Sequence, residues 1–156
     1  MKTNDDYIQQ EHEVLEYFGI TRINDYIHVQ KRVLATLPEE FYGEVLIKEN
    51  GMAVDVGKRG IKETFGDKRH YEYLPRWFKI AKLATVTEIP DLLRKATVRD
   101  SNIDNYHEGK TSKYDYLETE TEVLGTECIV GFDIKKTEII NRFHLHRVEI
   151  KKRPEA

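Results

Sequence analysis

The last third of the chain carries three consecutive β-strand patterns, and this feature restricts the fold more than any other. The runs KYDYLETETEV, ECIVGFDIK and IINRFHLHRVEIK alternate in polarity or are rich in β-branched and aromatic residues. Gly125 and the turn region Lys136–Glu138 separate the three runs. Because short turns join antiparallel neighbours, we expect these strands to form a meander.

Helical patterns and one hairpin signal precede the meander. Apolar spacing that ends at Gly19 predicts a first helix, and the spacing over about residues 24–37 predicts a second one. The pair Asn50-Gly51 lies between two strand-like runs and predicts a two-residue hairpin turn. Two further helices are predicted to begin near prolines, at Pro75 and at Pro90.

This order of elements indicates an α+β fold, an antiparallel sheet of about four to five strands with helices packed on one face. Residues 1–40 would form an N-terminal helical extension, and residues 41–156 a single compact unit. The polar stretch SNIDNYHEGKTSK is predicted to be a hairpin loop. A chain of 156 residues is long enough to bury a substantial core in one domain.

Composition excludes several classes of protein. The single cysteine, Cys128, rules out an intrachain disulfide framework and a cysteine-rich zinc site. The first residues lack a signal-peptide pattern, and no apolar run approaches the roughly 20 residues of a membrane span. A net charge of −3 is untypical of a general nucleic-acid coat protein. We therefore expect a cytoplasmic protein with no membrane contact.

Residues 57–82 are basic within this acidic chain. They contain eight Lys and Arg against three acidic residues, a net charge of +5, which leaves −8 for the rest of the total of −3. Glycines at 57, 60 and 66 would let backbone N–H groups approach a ligand, and the cations would neutralise phosphate. The Walker and dinucleotide-binding patterns do not occur, so the segment favours a phosphodiester backbone over a nucleoside triphosphate.

Candidate nucleic-acid contacts follow from this segment and from the polar loop. The residues expected to bind phosphate are Lys58, Arg59, Lys62, Lys68, Arg69 and Lys110. Tyr71 and Tyr106 are candidate base-stacking residues.

The apolar side of the final strand changes partway along it. Phe143 and Leu145 are apolar at odd positions, whereas Val148 and Ile150 are apolar at even positions. Such a switch predicts a β-bulge or a strand end that leaves the core for a cleft. The two histidines of this strand, His144 and His146, would share a face about 7 Å apart, from the rise of two strand residues.

Three histidines are candidates for catalysis. His144 and His146 could bind a metal, share acid–base work or contact phosphate, or they could be ordinary half-exposed strand residues. His70 follows the cations Lys68 and Arg69 and is a candidate base; the alternative is a solvent-exposed histidine at a helix boundary. We expect neither a resident metal ion nor a cofactor.

A family resemblance is carried by VDVGKRGIKETFG with a following histidine, then by LPRWFKIAKLATVTEIPDLLRKATV, a polar loop and the meander. Over roughly residues 44–150 this layout resembles the nuclease-like domains of phages and mobile elements in the barnase–EndoU–colicin–RelE superfamily, of the large polyvalent protein-associated type. The resemblance implies helices packed on a curved antiparallel sheet and metal-independent RNA cleavage. It also implies roles: His70 as a proton carrier, Lys62 and Arg69 at phosphate, and His144 or His146 with Lys110 for the second proton transfer.

Two functions from different classes remain open on these grounds. The first is an RNA-binding or RNA-cleaving domain, a toxin or effector of a phage or mobile element, with tRNA among the candidate targets and an immunity protein or a host protein as a candidate partner. The second is a non-catalytic binding module that inhibits a host nucleic-acid-associated complex, with its acidic surface mimicking nucleic acid.

Overall fold

The computed structural model describes residues 4–107, 110–137 and 142–154, and the side chains of residues 6–104, 112–136 and 143–154. Its α-helices are α1 (Asn4–Phe18), α2 (Tyr26–Thr36), α3 (Lys58–Thr64), α4 (Lys68–Tyr73), α5 (Arg76–Val86) and α6 (Ile89–Arg94). Its β-strands are β1 (Gly43–Leu46), β2 (Ala53–Val56), β3 (Thr97–His107), β4 (Lys110–Val123), β5 (Thr126–Thr137) and β6 (Arg142–Lys152). The predicted α+β class is confirmed.

The strands of the described residues form one sheet in the order β1-β2-β6-β5-β4-β3. Each neighbouring pair is antiparallel except β2 and β6, which run parallel. The sheet has six strands where four to five were expected, because most of the polar stretch 101–113 is strand. The hairpin predicted for that stretch is present, but most of its residues are strand and not loop, because they pair from Ile103↔Tyr114 to His107↔Lys110.

The hairpin between β1 and β2 is present, but its turn is longer than the predicted two residues. The last pair of the ladder is Leu46↔Ala53, so residues 47–52 form the connection. Gly51 takes the positive φ of 71° that the turn requires. Ile47 is fully buried, so the first residue of the connection packs in the core.

One main core lies between the helices and the sheet. Along β5 the fully buried residues alternate, at Cys128, Val130, Phe132 and Ile134, as expected of a strand with one covered face. Helices α5 and α6 pack against β1, β4 and β6. In the described part of the chain, no helix is long and apolar enough to span a membrane.

A β-bulge in β6 accounts for the change in its apolar side. Asp133 pairs with Arg147 and Ile134 with Leu145, which leaves His146 as the extra residue. Leu145 and Val148 therefore both face the core, as the sequence pattern predicted. The bulge leaves His146 on the side of the strand opposite the core, beside His144.

Helix α3 packs against β6, close to this bulge. Gly60 lies in α3, and a side chain at that position would overlap the carbonyl oxygen of Leu145. The glycines of this segment were expected to let backbone N–H groups approach a ligand. Residues 58–64 are instead helical, and Gly60 permits close packing of helix on strand. This contact fixes the position of the basic N-terminal part of α3 relative to the two histidines of β6.

Candidate active site

A cavity of about 380 Å³ lies between the start of α3, the end of β2 and the bulged part of β6. Its uncharged lining residues are Gly57, Gly60 and Leu145. The charged and titratable side chains that line it are Asp55, Arg59, Lys135, His144 and His146. The cationic segment and the two histidines of the last strand, about 85 positions apart in the sequence, therefore share one cavity.

His146 is a half-buried imidazole packed against an aromatic ring. The centroids of its ring and the Tyr114 ring are 5.3 Å apart in an edge-on arrangement. Burial lowers the pKa of His146 below its ordinary value, Lys135 and Arg147 act in the same direction, and Glu63 and Asp133 oppose them. The neutral form of this imidazole is thereby favoured, as a proton acceptor requires.

His144 lies beside a carboxylate. The parallel pairing of β2 with β6 sets Asp55 opposite His144, and Asp55 Oδ2 is 3.8 Å from His144 Nδ1. The side chains are 40% and 36% exposed, so both the imidazole and the carboxylate are accessible to a ligand in the cavity. An adjacent carboxylate orients an imidazole and offsets the charge that it carries when protonated.

Two cations complete the cavity. Arg59 is exposed at the start of α3, and its charge also acts on the nearby Tyr114, whose pKa is raised chiefly by burial. Lys135 pairs with His144 across the β5–β6 ladder. Positive charge on two sides of a cavity suits an anionic group such as phosphate.

His70, the third candidate histidine, is placed elsewhere. It is exposed on α4, and it lines a different cavity together with Lys82, Arg147 and Glu149. Its backbone N–H donates to Asp67 Oδ1 at 2.7 Å, which caps α4. The structure thus brings together His144 and His146 but does not bring His70 into their cavity.

The remaining basic candidates spread over the surface. Lys58 does not line the cavity; its Nζ is 3.7 Å from Glu39 Oε1 and 5.7 Å from the centre of the Tyr42 ring. Lys62, Lys68 and Arg69 are exposed. Of the basic residues predicted from the 57–82 segment to bind phosphate, Arg59 lines the cavity.

The two tyrosine candidates have different outcomes. Tyr71 is fully buried and its hydroxyl donates to the carbonyl oxygen of Ile23, so its assignment as a base-stacking residue was wrong. Tyr71 is part of the main core, where its ring buries a large apolar area. The side chains of Tyr106 and Lys110 lie outside the described residues.

Asp55 and Lys135 were not identified from the sequence. Asp55 lies between Val54 and Val56, which are buried, and this alternation signals only an outward-facing polar residue. Its significance depends on the parallel pairing of β2 with β6, which brings residues 55 and 144 together and which no local pattern reveals. Lys135 reaches the cavity through a different pairing, the antiparallel ladder of β5 with β6, in which it lies opposite His144.

Among the residues whose side chains are described, no group of three or more histidine, cysteine, aspartate and glutamate side chains is arranged to hold a metal ion.

Comparison with known proteins gave no relatives. The chain matches no protein family, and no curated protein and no solved structure is significantly similar to it.

Proposed function

We propose that the protein is a metal-independent, ribonuclease-like domain that binds RNA and cleaves it in the cavity lined by His144 and His146. The observation that carries the proposal is the shared cavity of two imidazoles, one carboxylate and two cations. Cleavage of RNA by its own 2′-hydroxyl requires a base, an acid and positive charge around the phosphorus. These groups supply each of the three.

His146 acts as the base. Its lowered pKa keeps the imidazole neutral near neutral pH, so it can take the proton of the ribose 2′-hydroxyl. The 2′-oxygen then forms a bond to phosphorus. Arg59 and Lys135 stabilise the additional negative charge on the phosphorane oxygens.

His144 acts as the acid. In its protonated form it is held by Asp55, and it gives its proton to the 5′-oxygen as the bond between that oxygen and phosphorus breaks. The products are a 2′,3′-cyclic phosphate end and a free 5′-hydroxyl end. The exposed cations Lys62, Lys68 and Arg69 of α3 and α4 would contact the RNA backbone outside the cavity.

The activity can be tested with tRNA and total RNA in the presence of EDTA, with analysis of the product ends. His144→Ala and His146→Ala are each expected to lower the cleavage rate by about 100-fold or more. His12→Ala is the matched control, because His12 lies exposed on α1 and should leave the rate unchanged. Activity of the wild-type protein without 2′,3′-cyclic ends, or full activity of both cavity variants, would contradict the mechanism.

The variant His70→Ala distinguishes the proposed pair of His144 and His146 from a catalytic centre that includes His70, as the sequence suggested. Because His70 does not line the cavity of His144 and His146, we expect the variant to retain most of the cleavage rate. A loss of cleavage rate as large as that of His146→Ala would show that His70 takes part in catalysis.

The resemblance to nuclease-like domains of phages and mobile elements supports a toxin or effector role that is neutralised by an immunity protein. Induced expression of the wild-type chain in bacteria should then arrest growth, and His146→Ala should relieve the arrest. If both proteins arrest growth equally and neither cleaves RNA, the non-catalytic module that inhibits a host complex is the better description.

A further inference from the structure

A second cavity, of about 370 Å³, lies between α1, the α5–α6 segment and the hairpin that joins β4 to β5. It shares no described lining residue with the cavity of His144 and His146. Its charged residues are predominantly acidic, because one lysine, Lys95, accompanies four carboxylates. These carboxylates belong to Glu13, Glu88, Asp91 and Glu122. We refer to this cavity as the acidic groove.

Two buried polar atoms in the walls of the acidic groove lack partners. Thr85 is 3% exposed, and within the described residues its Oγ1 makes no hydrogen bond. The same holds for Oε1 of Gln10, which faces the groove from α1. Proteins seldom leave buried polar atoms unpaired. Since the Gln10 oxygen can only accept, its missing partner must be a donor.

Apolar side chains form the rest of the walls. Val14 comes from α1, Ala84 and Leu92 from the α5–α6 segment, and Val123 and Leu124 from the hairpin. A ligand that fits must therefore carry positive charge, N–H donors and an aliphatic body. A divalent metal ion offers neither donors nor apolar surface, and the described side chains contain no arrangement of three or more metal-ligating groups.

We propose that the acidic groove binds a linear polyamine. Its ammonium groups pair with the carboxylates of Glu13 and Glu88, because Asp91 is already paired with Arg94 at 3.0 Å. They donate to Gln10 Oε1 and Thr85 Oγ1, and the methylene segments lie against the apolar walls. Lysine side chains of a peptide carry the same chemistry, so the experiment includes both sources. The proposal is independent of the ribonuclease activity.

The test is calorimetric titration of the full-length protein with spermidine and, separately, with a tri-lysine peptide, at fixed ionic strength. Spermidine is expected to bind saturably. Glu88→Gln and Thr85→Val should each weaken it about three- to ten-fold, through the loss of one charge or one hydrogen bond. Glu44→Gln is the matched control, because Glu44 is exposed on β1 and does not line the groove.

Thr85→Val provides a second readout that a purely structural role would not produce. Replacement of an unpaired buried hydroxyl by a methyl group of similar shape should leave the melting temperature of the free protein unchanged or raised. The same variant should gain less thermal stability from spermidine than the wild type does.

Three outcomes would overturn the proposal. Spermidine could give no saturable binding, or Glu88→Gln and Glu44→Gln could bind it equally, which would indicate unspecific attraction to an acidic surface. Saturable binding of tri-lysine alone would replace the free polyamine with a peptide ligand.

Discussion

At the level of single residues, the half-buried His146 makes the stability of the fold depend on pH. Its pKa in the folded protein is lowered below 6.5, so between pH 6.5 and that lower value the unfolded chain binds a proton that the folded chain does not. Stability from this group is thus present above pH 6.5 and is lost as the pH falls through the folded-state pKa. Urea denaturation should show a larger drop from about pH 7.5 to about pH 5.5 for the wild type than for His146→Gln. The exposed-site variant His12→Gln should behave as the wild type, and equal drops in all three proteins would contradict the prediction.

Gly60 and Gly57 form a matched pair of glycines at the same cavity. A Cβ at Gly60 would overlap the carbonyl oxygen of Leu145, whereas a Cβ at Gly57 would meet no described atom within 4 Å. Gly57 also has a φ of −118°, which alanine adopts without strain. Gly60→Ala should therefore lower the free energy of unfolding by about 1–3 kcal/mol, and Gly57→Ala should change it by less than about 0.5 kcal/mol. Chemical denaturation measures both, and a Gly60→Ala protein as stable as the wild type would show that α3 does not pack closely on β6.

At the level of elements, a hydrogen bond from Tyr71 ties α4 to the connection between α1 and α2. The Tyr71 hydroxyl donates to the carbonyl oxygen of Ile23 at 2.6 Å, and the side chain is fully buried. Tyr71→Phe would leave that carbonyl unpaired, and we expect a loss of about 1–3 kcal/mol in the free energy of unfolding. Tyr73→Phe, two positions away and 80% exposed, is the control and should have no measurable effect. Equal stability of the two variants would contradict the structure at this junction.

The elements also show which parts of the fold the sequence predicts and why. The change of core side along β6 was predictable, because the apolar residues switch from odd to even positions between Leu145 and Val148. The bulge was one of the two explanations that this pattern allowed, and strand pairing shows that it is the right one. Strand β3 was missed, because two register irregularities interrupt its alternation and most of its residues are polar. Asn102 has a positive φ of 56° there, and its N–H donates to the buried carboxylate of Asp115 at 3.0 Å. Because Asp115 lies on a different strand, β4, no pattern within the residues of β3 predicts the positive φ of Asn102.

The residues of the candidate site were likewise predicted only in part from the sequence. His144, His146 and Arg59 were recognised as chemically unusual from their neighbours in the sequence, and they line one cavity. Asp55 and Lys135 enter it through strand pairing. The sequence thus identifies reactive side chains, but their grouping depends on the order of strands in the sheet.

At the level of the whole molecule, the described residues of the N-terminal segment, 4–40, contribute to the same core as the rest of the chain. The buried residues that they supply to the main core are Phe18, Ile20, Ile23, Val29, Val33 and Leu37. Polar contacts join the two parts as well: Lys79 Nζ donates to Asn24 Oδ1 at 2.9 Å, and the Tyr26 hydroxyl donates to the Gly66 carbonyl at 2.7 Å. The N-terminal helices therefore complete the core on which α4 and α5 rest.

A chain that begins at residue 41 should consequently fail to fold cooperatively. Six buried side chains at roughly 1.5–3 kcal/mol each amount to roughly 9–18 kcal/mol of lost burial, which matches or exceeds the roughly 5–15 kcal/mol of net stability typical of a domain. Amide NMR dispersion and near-UV circular dichroism of the shortened chain should be those of a loosely packed state. Addition of a peptide of residues 1–40 should restore both signals if the loss comes from the missing core. A sharp two-state unfolding transition in the shortened chain alone would instead define residues 41–156 as an independent domain, and would make the N-terminal helices an appendage to the cavity-bearing sheet.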